Sequence, residues 1–161
     1  MTRAAHRKAS RRRRIIGAGS PAPNDPQGGK LLRRAHRFQA AEADGLFELS
    51  KEMTRLFAER IDVDAIVAQL TLPKGDRKPG SLKALEKLVA HLRSDVEAQN
   101  MMAPLFGICD LRLADAHLGS SLVASGKARA GVDDAAPPAM QGRQLLQSFV
   151  DTLRLVTDVL A

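Results

Sequence analysis

The chain has 161 residues, 44% of them hydrophobic and 27% charged, which is enough for one domain with its own core. Aromatic residues make up 3%, five Phe and no Trp or Tyr, which argues against a stacking platform for single-stranded nucleic acid and against a β-sandwich. The net charge of +7 belongs almost wholly to residues 1–29, where seven basic side chains face only Asp25, so a near-neutral remainder is not a basic nucleic-acid-binding domain.

Residues 1–29 read as a disordered basic tail and linker, because Arg, Ala, Gly, Ser and Pro dominate and Ile15-Ile16 is the only apolar pair. Arg11, Arg12, Arg13 and Arg14 form a block that can hold phosphates or an acidic surface through weak, salt-sensitive contacts. No secretory apolar segment precedes or follows that block.

Residues 30–161 read as the folded domain. A first helix is expected over 30–60, with Leu32, His36 or Phe38, then Leu46, Leu49, Met53, Leu56 and Phe57 on its core face. Asp44-Gly45 is its weak point. Asp62 is placed to cap a short second helix over 63–70. Residues 71–80 (TLPKGDRKPG) form a polar loop whose glycines do not match the GxxxxGK[ST] pattern of a phosphate loop.

Ser81 is expected to cap a third helix over 82–99, with Leu85, Leu88, Val89, Leu92 and Val96 as an apolar stripe and Lys83, Glu86, Lys87, Arg93 and Glu97 on the other side. A central helix follows over 103–118, capped by Asn100, with Pro104 in its first turn. At about 100° per residue, Met101, Leu105, Ile108, Cys109, Arg112 and Ala116 share one face, widened by Phe106 and Leu113, while Leu111 and Leu118 cover the opposite flank. A helix so apolar around its circumference should be mostly buried. Residues 119–138 are expected to be irregular, with one helical turn at 122–130. A last helix runs over 139–160, its core face supplied by Leu145, Leu146, Phe149, Val150, Leu153, Val156, Val159 and Leu160.

Arg112 falls on the face expected to be buried, where a guanidinium needs a partner. Asp115, at i+3, is one candidate. Glu86, Asp95 and Glu97 are others, and so is a phosphate or carboxylate from outside. A structural arginine paired in the core and a functional one aimed at a ligand are both compatible with this position. His117 stands near the helix C-terminus, where positive charge is favoured. It lies roughly 140° around the helix from Arg112 and about 7.5 Å along it, so the two converge only if a second helix or a second copy completes the site.

Arg112-Leu113-Ala114-Asp115-Ala116-His117 has the form Arg-x4-His. In this hexapeptide, and in its all-helical context, the chain resembles the HEPN superfamily. That resemblance implies a small all-α domain, often dimeric, and in many members a metal-independent ribonuclease whose motifs from two protomers face one cleft. On that reading Arg112 and His117 are the catalytic pair, Arg112 stabilising the phosphorane and His117 moving the proton between the 2′-hydroxyl and the leaving oxygen. Leu113 stands where the family tends to place a polar residue, and a catalytically silent relative is the other form the resemblance allows.

Cys109 is the sole cysteine, and His6, His36, His91 and His117 show no HxxxH or HExxH spacing, so no metal site and no cofactor are expected. No apolar run approaches the roughly 18 residues of a membrane span. The expectation is an all-α, cytoplasmic protein: a single helical bundle of four to five helices with a disordered basic N-terminal tail. Its helix three, central helix and last helix should form the heart. Its partner would be RNA or another protein, with a homodimer as the assembly. The alternative to the HEPN-like function is a non-catalytic helical interaction module whose tail holds an acidic partner, RNA or DNA.

Overall fold

The computed structural model describes residues 44–70, 77–117 and 120–161, with the side chains of Asp44, of residues 114–117 and of Ser120 outside that description. The expected tail, the first part of helix one and most of the 71–80 loop therefore lie outside the described residues. The rest forms a helical bundle with no β-strand among the described residues. Six α-helices follow in order: α1 Asp44–Phe57, α2 Val63–Val67, α3 Ser81–Leu92, α4 Asp95–His117, α5 Ser120–Arg129 and α6 Pro138–Leu160. No helix among the described residues is long and apolar enough to cross a membrane.

The organising element is α4, which packs against α1, α3, α5 and α6. Its buried Ala98, Met102, Leu105, Ile108 and Leu111 meet Leu46, Leu49 and Met53 of α1, Leu85, Leu88 and Val89 of α3, and Leu145 and Val156 of α6 in one apolar cluster. Phe57 of α1 and Phe149 of α6 close this cluster edge to face, with ring centroids 6.1 Å apart and planes at 87°. Helix α1 also buries Ser50 and Thr54. Both hydroxyls donate to carbonyls one turn back, Ser50 to Leu46 at 2.9 Å and Thr54 to Ser50 at 2.8 Å, so neither polar group is stranded.

Local chemistry sets the helix ends. The Asp62 carboxylate accepts from the Ala65 amide at 3.0 Å and caps α2, as its position suggested, although the helix stops at Val67. For α3 the N-cap is Gly80 rather than Ser81, which is already helical. The third helix does not reach residue 99. It ends at Leu92, and Ser94 starts α4: its hydroxyl accepts from the Glu97 amide at 3.2 Å and donates to the Glu97 carboxylate at 2.7 Å, a Ser-x-x-Glu box.

Three expectations change with this boundary. Asn100 lies inside α4, and Pro104 is interior, where it leaves the Asn100 carbonyl without its usual amide. Val96 is 67% exposed, because the break at Arg93-Ser94 resets the helical register and carries it off the α3 stripe. Replacing Ser94 by Ala should cost about 1 kcal/mol, the usual value of such a cap. A melting curve unchanged by that substitution would mean that packing alone sets the corner between α3 and α4.

The helical turn expected at 122–130 is a complete helix, α5, closed by Gly131 in the left-handed conformation at φ +68°. The Val132 amide donates to the Lys127 carbonyl at 2.9 Å and the Gly131 amide to the Ala128 carbonyl at 3.2 Å, so the last turn ends in a Schellman motif with Val132 buried behind it. The loop that follows is pinned to α6. The buried Gln141 amide donates to the Asp134 and Ala136 carbonyls at 3.1 and 2.7 Å, and Gln144 accepts from the Asp133 amide at 3.0 Å. Helix α6 begins one residue before the expected 139 and buries Leu145, Val156 and Leu160. Val150 is exposed instead of buried, since it lies about 140° around the helix from Leu145.

Candidate functional site

The C-terminal half of α4 carries the motif, and α5 shapes its surroundings. Gly107 lets the backbones of α4 and α5 approach: a Cβ there would sit 2.6 Å from the Gly126 carbonyl oxygen and 2.7 Å from the Ala130 amide nitrogen. Gly126 faces back, 3.1 Å from Leu111 Cγ on the same measure. Asp110 pairs with Arg129 across this contact at 3.1 Å. Leu111 is fully buried there.

Arg112, the next residue, is exposed to solvent. The expectation of a buried guanidinium is therefore corrected. A helical wheel assumes neighbours along one side, but α4 changes sides: Met102 and Leu111 are both buried although they lie about 180° apart around the helix. Met102 lies in the main core, and Leu111, in the same apolar cluster, also meets Gly126 of α5. Arg112 falls outside both.

Of the carboxylates considered as its partners, two are engaged otherwise and one is out of reach. Glu86 is buried, not on a solvated side as expected, and takes Lys83 Nζ at 2.8 and 2.9 Å. Glu97 belongs to the Ser94 box. Asp95, in the first turn of α4, is some 17 residues and about 25 Å along the helix from Arg112. Arg112 has no ion-pair partner among the described residues. The Asp115 and His117 side chains lie outside the described residues, as do Arg11, Arg12, Arg13 and Arg14.

Arg112 and His117 stand on the same unbroken helix, α4. Five positions apart, they cannot face each other on it. Leu113, beside Arg112, is 53% exposed rather than part of the core face.

One turn before Arg112, Cys109 is partly buried, with its sulfur 3.9 Å from the Thr54 hydroxyl. Burial pushes its thiol up, opposed by the Thr54 contact and by the positive charge of Arg112, while Asp110 adds to the upward push. The net shift is upward, so Cys109 stays a protonated thiol at neutral pH and is a poor nucleophile. Among the described residues no group of three or more His, Cys, Asp or Glu side chains could hold a metal ion.

Sequence reasoning missed the Gly107–Gly126 crossing and the Asp110–Arg129 pair beside it. The available signal was Gly107 in the middle of a long helix, a costly residue there unless something packs against its bare backbone. Comparison with family models, with curated proteins and with solved structures finds no match to this chain.

Proposed function

We propose that this chain is a HEPN-like helical domain that acts on RNA at the C-terminal part of α4, using Arg112 and His117 without a metal. The observation that supports this reading is the exposure of Arg112, which puts its guanidinium in solvent, where a phosphate can reach it. Arg112 would neutralise the charge that builds up on the phosphorane, and a bidentate guanidinium suits that geometry. His117 would take the 2′-hydroxyl proton and return it to the leaving 5′-oxygen, giving a 2′,3′-cyclic phosphate. Because one helix cannot bring both groups to one phosphate, a second copy of the chain completes the site on this reading. The exposed Leu113 suits such a contact.

The test is cleavage of RNA by the purified full-length chain in the presence of a chelator. His117→Ala should reduce the rate by a factor on the order of 10²–10⁴. Arg112→Ala should also remove activity while leaving stability within about 0.5 kcal/mol, as for other exposed substitutions. No cleavage by the unmodified chain would remove the ribonuclease reading. Cleavage that survives His117→Ala would remove the proton-transfer role.

The second reading is a non-catalytic helical interaction module, with Arg11, Arg12, Arg13 and Arg14 holding RNA, DNA or an acidic protein. The confinement of the basic excess to residues 1–29, with a near-neutral remainder, favours it, since the charge that would hold an acidic partner lies in the tail. It expects salt-sensitive binding without cleavage.

A further inference from the structure

The geometry points to α5 as a strap that detaches and refolds as a unit while α1, α3, α4 and α6 stay packed. Four observations carry this. First, among the described residues α5 packs against α4 and makes no comparable contact with any other helix. Second, it contributes modest apolar surface: among its described residues Leu122 and Val123 are partly buried against the core, Gly126 is buried and Lys127 half-buried, and Ser121, Ala124, Ser125, Ala128 and Arg129 are exposed.

Third, the closest contact is backbone against backbone at Gly107 and Gly126, supplemented by the Asp110–Arg129 pair, whose arginine is more than half exposed. Such contacts add dispersion and a modest, screened attraction, but not the apolar burial that holds α3 and α6 in place. Fourth, ten residues with three serines and a glycine are too few and too weak in propensity to stay helical once undocked. Undocking and unwinding are therefore one event. The loop after α5 remains fixed to α6 through Gln141 and Gln144, so the strap keeps an anchored end. Opening uncovers Gly107 and the otherwise buried Leu111, immediately beside Arg112.

Amide hydrogen exchange of the full-length chain, followed by residue at several low denaturant concentrations, tests the strap. After correction for intrinsic rates, amides of residues 124–130 should exchange at least about tenfold faster than the slowest amides of α3 and α6, with little dependence on denaturant. Arg129→Ala should speed exchange in residues 124–130 about two- to fivefold and leave α3 and α6 unchanged. If residues 124–130 share the protection and the denaturant slope of the core of α6, α5 is part of the global unit and the proposal fails. Arg129→Ala raising exchange equally in every helix would overturn it as well.

Discussion

Met102→Ala should lower stability by about 2–5 kcal/mol, the range for truncating a fully buried methionine. Met102 lies in the part of α4 packed against the main core, and its loss leaves a void that helices held on several sides cannot easily close. Val96→Ala, six residues earlier on the same helix and 67% exposed, should change stability by less than about 0.5 kcal/mol. Denaturant titration of both variants measures the contrast. A loss below about 1 kcal/mol at Met102 would mean that the core there is looser than its burial implies.

Gly107→Ala should also destabilise, although alanine is the better helix former. The added methyl meets the Gly126 carbonyl oxygen at 2.6 Å, the Ala130 amide nitrogen at 2.7 Å and Arg129 Cβ at 2.9 Å. Two of these three are backbone atoms, so no side chain can simply rotate away. Overpacking costs about 1–3 kcal/mol. The propensity gain returns at most about 1 kcal/mol. With that gain returned in full, the net result is a loss of up to about 2 kcal/mol, concentrated on α5. Gly126→Ala should be milder, since its nearest neighbour is the Leu111 side chain at 3.1 Å. Melting curves together with amide shifts of residues 124–130 test both. A Gly107→Ala protein as stable as the parent, with α5 undisturbed, would refute the close crossing.

What could be read in advance depended on how each segment is buried. Leu85, Leu88 and Val89 in α3, and Leu145, Val156 and Leu160 in α6, face a single apolar layer, so their spacing marked both the helix and its core side. Asp62 was legible because a cap is a local contact between neighbours in sequence. Val96 misled because it continues the α3 spacing across a break, although Ser94-x-x-Glu97 already signalled a new helix start. Helix α5 has no apolar stripe to detect, since it docks through glycine backbone. Arg112 was misplaced for the related reason that α4 is covered on different sides along its length, which one helical wheel cannot represent. Of the candidate site, the motif could be read in the sequence, but the exposure of its arginine depends on where α5 lies, and that is a tertiary fact.

The two-residue corner at Arg93-Ser94 also bears on how the chain reaches this state. Helices α3 and α4 pack against each other directly across it, so their contact closes a very short loop. Little chain entropy is lost before that pairing is rewarded with apolar burial. The arrivals that span long stretches of chain are those of α1 and α6 on α4. A nucleus built from the α3–α4 pair, with α1 and α6 condensing onto it afterwards, is the order in which topology lets this bundle assemble fastest.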